Sequence, residues 1–240
     1  MKSSIFLSMI IPTLEEEKYL PLLLDSIKRQ NLSFQYEIII ADAGSKDKTI
    51  EIAEEYGCKI VKGGLPAKGR NEGAKIARGE LILFIDADVI LPDNSLKELI
   101  EEFEKRHLDI AGFLLQPCGD NVLFKLLYNL FYNLPVIIME TFLSHSAGAI
   151  LVKLDLSKKL DGFEENIKVG EDNVYSRKAS RYGKFGILKI AKIYYSQRRY
   201  KRDGIIRSLF QLFLLELHLV FLGPIKSNIF NYDLHTRFPE

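Results

Sequence analysis

The chain has 240 residues, 47% hydrophobic and 27% charged, with a formal net charge of +1. That size allows one large domain or one domain with an appendage, and the apolar content excludes a disordered chain. Near-neutral charge offers no bulk attraction for nucleic acid. Cys58 and Cys118 lie far apart and form no ligand-spaced cluster, which fits a reducing compartment better than a disulfide framework.

The first apolar run, Ile5 to Ile11, is too short and strand-like for a signal peptide and reads as a buried strand that Pro12 stops. Thr13, with Glu16 three residues on, reads as a capping box for the next helix. Leu20, Leu23, Leu24 and Ile27 share one helical face, with the regular helix beginning near Pro21. Glu37 to Ala41 is a second strand, running into Asp42-Ala43-Gly44-Ser45. Asp47-Lys48-Thr49 opens a second helix, which stops at Gly57. Lys59 to Lys62 is a short third strand. A loop through Gly63-Gly64-Leu65-Pro66 and a helix from Lys68-Gly69-Arg70-Asn71 to Ala77 follow, ending at Gly79. Leu81 to Ile85 is an unbroken apolar run, a fourth strand buried on both faces, and it ends in Asp86-Ala87-Asp88. This alternation predicts an α/β fold with a mostly parallel sheet, built by right-handed crossovers, with helices on both faces.

The carboxyl ends of parallel strands share one edge, where open α/β sheets bind ligands. That edge collects Glu15 or Glu16, Asp42, Lys68, Arg70, Asp86 and Asp88. Period two puts Asp86 and Asp88 on one side of the chain, where they repel unless a cation sits beside them. Mg²⁺ or Mn²⁺ shared with a phosphate-bearing ligand satisfies them; a strand end before the solvated turn Pro92-Asp93-Asn94 is the plainer alternative. Carboxylates suit base N–H groups and ribose hydroxyls, while Lys and Arg neutralise phosphates. Together these groups describe a nucleotide-diphosphate site, although acids at helix starts are also ordinary caps. No Gly-x-Gly-x-x-Gly or phosphate-loop lysine motif appears, so binding would run through side chains and metal.

Four ordered motifs resemble family 2 glycosyltransferases: Ile11-Pro12-Thr13-Leu14-Glu15-Glu16-Glu17, Ala41-Asp42-Ala43-Gly44-Ser45 through Thr49, Arg70-Asn71-Glu72-Gly73, and Phe84-Ile85-Asp86-Ala87-Asp88. Downstream, Ser146-Ala147-Gly148-Ala149, Asp161-Gly162-Phe163-Glu164 and Gly170-Glu171-Asp172 are similar to the acceptor and catalytic region. The resemblance implies a GT-A fold and an inverting enzyme using a nucleotide-diphosphate sugar, like small membrane-associated members of the dolichol-phosphate-mannose-synthase-like group. It implies Thr13, Glu16, Asp42, Arg70 and Asp86 around the donor, with Pro12 in the same motif, and Asp88 with Asp86 on Mg²⁺ or Mn²⁺; Lys68 joins them as a base for the phosphates. Asp172 would be the general base, with Glu171 beside it; independently, the basic residues Arg198 and Arg199 could clamp a lipid-linked phosphate of the acceptor or the donor diphosphate. Glu15 stands where the family often has Asn, and Ala43 replaces a frequent second Asp. The Gln-x-x-Arg-Trp motif of processive synthases is not intact at Gln197-Arg198-Arg199-Tyr200, which favours transfer of one sugar at a time. A glycosyltransferase domain over 1–200 is expected, with a donor half (1–93) and an acceptor half (94–200), followed by an apolar helix and polar tail over 201–240. Glu171 and Asp172 as a plain helix start is the alternative reading of those acids.

Val122 to Met139 is apolar except for a stripe of Lys125, Asn129 and Asn133, and Pro135 should kink or end the helix. Ile205 to Leu222 is similar, with Arg207, Gln211 and His218 on one stripe. Each approaches the ~20 residues that span a bilayer but carries polar groups costly at its centre. In-plane interfacial helices or a homodimer contact are therefore expected over spans, with core helices as the alternative. Arg198, Arg199, Lys201 and Arg202 just before the second run suit anionic headgroups. The expectation is a peripheral protein at a cytoplasmic membrane face, acting on a hydroxyl of a lipid-linked or membrane-proximal glycan, or on a polyprenyl phosphate. A sugar-phosphate nucleotidyltransferase lacks its Gly-rich loop here. A non-catalytic nucleotide-sugar-binding membrane protein would not need Asp86, Asp88, Arg70 and Asp172 together.

Overall fold

The computed structural model describes residues 5–167 and 169–196, and in the C-terminal stretch residues 204, 207, 210, 211, 214, 215, 217–219 and 222–225. Its strands are β1 (Leu7–Thr13), β2 (Tyr36–Asp42), β3 (Lys59–Lys62), β4 (Leu81–Ile85), β5 (Val89–Ile90), β6 (Ile110–Pro117), β7 (Ala149–Lys153) and β8 (Phe185–Tyr195). They form one sheet of order β3-β2-β1-β4-β7-β6-β8-β5. β1, β2, β3 and β4 pair in parallel, as do β6 and β8; β7 runs antiparallel to β4 and β6, and β5 antiparallel to β8. The sheet is therefore mixed but mostly parallel. It continues from the donor half into the acceptor half through the β4–β7 pairing.

The helices are α1 (Leu20–Lys28), α2 (Thr49–Glu55), α3 (Pro66–Ile76), α4 (Ser95–Lys105), α5 (Val122–Tyr128), α6 (Leu134–Ile138), α7 (Leu154–Lys159) and α8 (Glu171–Ala179). Strand period two divides the core. Leu81, Leu83 and Ile85 of β4 pack on one face with Leu23, Leu24, Leu99 and Phe103 from α1 and α4. Ile82 and Phe84 pack on the other with Ala67, Leu156 and Tyr175 from α3, α7 and α8. Both faces are covered, as a strand apolar at every position requires.

Pro12 does not stop β1. The strand runs on to Thr13, because its pairing with β4 ends at Ile10 and no neighbour on that side needs the missing N–H. Thr13 does not cap a helix either. Parallel register sets it opposite Asp42, and its hydroxyl donates to Asp42 Oδ1 at 2.9 Å. α1 instead starts after Tyr19 with Pro21 in its first turn and no side-chain cap.

The run over 122–139 is three pieces: α5, a π-helical turn at Asn129–Asn133, and α6. Pro135 lacks the N–H that would continue the ladder, so the register change falls just before it. The extra residue in the π turn swings Asn133 inward, where Nδ2 donates to the Leu115 carbonyl at 2.8 Å and Oδ1 accepts from the Leu115 N–H at 3.2 Å. Asn133 thus faces the protein body, as does Asn129, which accepts from Lys192 Nζ at 2.9 Å. No helix among the described residues is long and apolar enough to cross a membrane. The helix expected over 205–222 is described only at scattered residues, of which Leu215 and Leu219 join Ile225 and Val169 in a small buried cluster. The basic run at Arg198–Arg202, including Arg198 and Arg199, lies outside the described residues.

Candidate active site

Two loops at the carboxyl edge of β1 and β2 lock together. The Asp42 carboxylate accepts from the Gly44 and Ser45 N–H groups at 2.8 Å each, from Ser45 Oγ at 2.6 Å and from Thr13 Oγ1. Across the gap, the N–H groups of Glu15, Glu16 and Glu17 donate to Ser45 Oγ, Thr49 Oγ1 and Asp47 Oδ2 at 2.9, 2.8 and 3.0 Å. Lys46 N–H returns a bond to Glu15 Oε1 at 2.7 Å. Asp42, Thr13 and Glu16 are all buried, so these residues form a rigid wall rather than three loose contacts. Pro12 is half-buried beside them.

α3 carries Arg70 into the centre. Gly73 lets the helix approach β1, since a Cβ there would lie 2.4 Å from Ile10 Cγ2. The Arg70 side chain is only 3% exposed. Its Nη2 meets Asp86 Oδ1 at 2.7 Å, and its Nη1 meets Glu171 Oε1 at 2.9 Å and Asp172 Oδ1 at 3.2 Å. The guanidinium also lies 5.4 Å from the centre of the Phe163 ring, which stacks on Tyr175. Lys68, on the same helix, is exposed and takes no place in this cluster.

Glu171 and Asp172 do open a helix, α8, so the plain reading of their position holds locally. They also reach Arg70, because α8 packs on the same face of the sheet as α3. The chain turns into α8 at Gly170, with φ of +89°, a conformation that glycine tolerates without strain. Gly148 joins the two halves of the site: its carbonyl accepts from the Asp86 N–H at 2.9 Å, and its N–H bonds the Asp172 carboxyl.

The electrostatics are unbalanced. Burial works against the charge on Arg70, but Asp172, Asp86 and Glu171 outweigh it and hold the guanidinium above its ordinary range. Burial pushes the Asp172 carboxyl up to about 7; Arg70 opposes this, and Glu171 and Asp86 add to it. Asp172 Oδ1 and Arg70 Nε accept or donate no hydrogen bond despite being buried. A buried carboxyl raised toward neutrality, whose Oδ1 meets Arg70 only as an ion pair and accepts no hydrogen bond, has the chemistry of a proton acceptor.

Asp86 and Asp88 offer hard oxygen donors of the kind Mg²⁺ and Mn²⁺ take. No cluster of three or more His, Cys, Asp or Glu among the described residues is arranged to hold an ion alone. The fit is therefore to an ion held by one or two carboxylates and completed by phosphate oxygens. Asp86 is paired with Arg70 at 2.7 Å, and Asp88 is half-buried.

Several positioning residues carried no assigned role in the sequence. Asn71 clasps the Phe163 backbone, donating to its carbonyl at 3.0 Å and accepting from its N–H at 2.7 Å. Asn173 Oδ1 accepts from the Ser146 N–H at 2.9 Å. Only the Arg70-Asn71 dipeptide hinted at the first.

Residues 8–179 match the sequence profile described as glycosyl transferase family 2. The chain belongs to that family. A family 2 relative, the poly(ribitol-phosphate) beta-N-acetylglucosaminyltransferase TarS of Staphylococcus aureus, is 25% identical over 203 residues, covering 80% of this chain and 35% of TarS. A human dolichyl-phosphate beta-glucosyltransferase is 38% identical over 99 residues, covering 34% of this chain and 31% of that protein. This family 2 chain thus spans about a third of the length of the curated relatives it matches. TarS 1-349 in complex with UDP-GlcNAc superposes with a TM-score of 0.67 at 22% identity, over 90% of this chain and 73% of that one. The mannosyltransferase PcManGT from Pyrobaculum calidifontis, in complex with GDP-Man and Mn²⁺, gives 0.66 at 18% identity, over 92% and 72%. These likenesses show the GT-A-like fold.

Proposed function

We infer that this family 2 chain transfers a single sugar, with inversion, from a nucleotide-diphosphate sugar to a hydroxyl of a lipid-linked or membrane-proximal glycan. The observation that carries the reading is Arg70, which ties Asp86 on the donor side to Asp172 on the acceptor side. The interlocked loops at Thr13, Glu16 and Asp42 form the wall for the nucleoside, Pro12 lies beside them, and Lys68 is free to reach toward phosphate. Asp88, assisted by Asp86, holds Mg²⁺ or Mn²⁺, which neutralises the leaving diphosphate when bound. Asp172 removes the acceptor hydroxyl's proton, and its oxygen without a hydrogen bond is the acceptor for it. TarS bound to UDP-GlcNAc and PcManGT bound to GDP-Man and Mn²⁺ support a nucleotide-sugar donor with metal.

The partial likeness to a dolichyl-phosphate beta-glucosyltransferase supports a second reading, transfer to a polyprenyl phosphate. A phosphate oxygen is already anionic and needs no base, so Asp172 favours the hydroxyl. The division into a donor half over 1–93 and an acceptor half over 94–200 follows the same roles. The test is a panel of nucleotide sugars with Mn²⁺, read by thermal stabilisation and by nucleotide release. At least one sugar nucleotide should stabilise the protein and be consumed with an acceptor. Stabilisation without turnover on any hydroxyl or polyprenyl-phosphate acceptor would leave a binding protein, and no stabilisation by any donor would refute the site.

A further inference from the structure

A late stretch of the chain spends its apolar side chains on the entrance to α8. Leu215, Leu219 and Ile225 are buried together with Val169, in a cluster separate from the two cores that flank the sheet. Among the described residues, Val169 is the one member of that cluster from outside 215–225. Backbone joins the same two places. Ile225 N–H donates to the Val169 carbonyl at 3.1 Å, and Val169 N–H donates to the Ile225 carbonyl at 3.3 Å, an antiparallel bridge made in both directions. Leu219 lies over the next residue, Gly170, where a Cβ would stand 2.5 Å from Leu219 Cδ2. Further along α8, Arg177 Nη2 donates to the Leu219 carbonyl at 3.3 Å. Arg177 makes no ion pair among the described residues, and its Nε is buried without a hydrogen bond, so its hold on that carbonyl is not shared with an acid.

We propose that residues 215–225 form a strap that fixes the Val169-Gly170 turn and thereby places Asp172, with Leu219, Ile225 and Arg177 as positioning residues. The proposal takes its catalytic meaning from the reading of Asp172 as the base. Asp172 is the second residue of α8, directly after the turn at Gly170 with its φ of +89°. A glycine there has no side chain of its own to lodge the turn and a backbone free to swing. The strap supplies what the glycine lacks: a bridge before the turn, an apolar contact over it and a guanidinium tie after it. A base must stand within hydrogen-bond reach of the proton it takes, and a shift of about 1 Å can cost on the order of 10² in rate.

The rest of α8 is anchored without the strap. The Tyr175 hydroxyl donates to Ser157 Oγ at 2.9 Å, and Asn173 Oδ1 accepts from the Ser146 N–H. Phe163 stacks on Tyr175 within the core on that face of the sheet. Loosening the strap therefore leaves the helix docked and frees its entrance, which separates positioning from folding. The donor wall at Thr13 and Asp42 is locked by its own hydrogen bonds, and the strap's contacts above all fall on 169–177.

The experiment compares the full chain with Leu219→Ala, Leu219→Met, Arg177→Met and Arg177→Lys. Amide hydrogen exchange over 169–174 reads the turn with no substrate present, and the thermal shift with UDP and Mn²⁺ reads the donor site. Turnover uses the donor and acceptor pair that the nucleotide-sugar panel finds to be consumed. Leu219→Ala and Arg177→Met should each speed exchange over 169–174 by about tenfold or more. Each should lower kcat by about 10–100-fold, with donor KM within about twofold and the thermal shift kept. Leu219→Met, which nearly conserves volume, and Arg177→Lys, which can still donate to the carbonyl, should recover most of both losses. Exchange like wild type in Leu219→Ala and Arg177→Met, or faster exchange with kcat unchanged, overturns the proposal. So does loss of the thermal shift in both, which would make the strap a general support of the fold. Full turnover by Asp172→Asn, with Leu219→Ala still fast in exchange and slow in kcat, would instead refute Asp172 as the base and leave the strap's hold on the turn standing.

Discussion

Asp172→Asn tests the site on two axes at once. The substitution keeps volume and shape but removes the base, so turnover on a hydroxyl acceptor should fall by about 10²–10⁴, a barrier rise of about 3–5 kcal/mol. Donor affinity should stay within about twofold, a difference of under ~0.5 kcal/mol, because the ion pairs of Arg70 with Asp86 and Glu171 remain. Stability should move the other way. The folded Asp172 carboxyl is raised to about 7 from 3.8, so its contribution to stability is fully present below pH 3.8 and is lost as pH rises through 7. At pH 8 the ionised carboxyl costs the fold an amount on the order of 4 kcal/mol, which a neutral amide escapes. Facing an Arg with an amide discounts that gain, leaving about 1–4 kcal/mol, or about 2–4 °C in Tm per kcal/mol for a chain of this size. Thermal unfolding of both proteins at pH 8 and pH 4, with turnover at pH 8, is the assay. An inactive variant that is less stable than wild type at pH 8 would show Asp172 to be a structural anion for Arg70 and not a strained base.

Asp88→Ala should abolish the thermal shift produced by UDP with Mn²⁺ while the fold persists; a normal shift that EDTA does not affect would remove the metal assignment. Arg70→Met leaves three buried or half-buried carboxylates facing one another, so it should cost about 3–5 kcal/mol in urea unfolding and move the acid limb of kcat/KM above pH 7. Wild-type kcat/KM should itself rise through a pH near 7, where Asp172 ionises. At the opposite end of the sheet, burial works against the Glu37 charge, but Lys59, Ser8 and the Arg78 N–H lower the carboxyl to about 2. That stabilisation is present above pH 4.5 and lost as pH falls through 2. Glu37→Gln should therefore cost about 1–3 kcal/mol at pH 7 and almost nothing at pH 2, measured by urea unfolding.

The first four strands were legible because each is a short apolar run ended by a turn or an acid, and a local pattern suffices to place them. The acid-tipped end of β4 was legible for the same reason. Thr13 was misread because Thr-x-x-Glu is a valid capping pattern in isolation; only the pairing of β1 with β2 supplies the competing acceptor, Asp42. Periodicity likewise revealed the stripe of Lys125, Asn129 and Asn133 without showing which way it turns. A polar stripe on an apolar helix faces water if the helix floats alone and faces inward if a strand edge offers unpaired backbone groups. Leu115 offers both a carbonyl and an N–H, and Asn133 takes them.

The Arg70 cluster shows the deeper limit of local pattern. Arg70 read as a phosphate ligand because nothing within ten residues of it on either side suggests a carboxylate partner other than Glu72 and Glu80. Its actual partners are Asp86, beyond the next strand, and Glu171 with Asp172, about a hundred residues on, delivered by the antiparallel insertion of β7 beside β4. That insertion places Gly148 against Asp86 and aims α8 at the same edge. One guanidinium cannot satisfy three carboxylates and remain a free diphosphate ligand. Donor binding must then either release Asp172 from Arg70, exposing a base already raised toward neutrality by burial, or engage the guanidinium with the carboxylates still in place. Arg70→Met separates these two modes in the pH profile of kcat, which reports the donor-bound enzyme: with the carboxylates still in place, removing the Arg70 charge moves the acid limb upward, whereas an Asp172 already released from Arg70 keeps its limb.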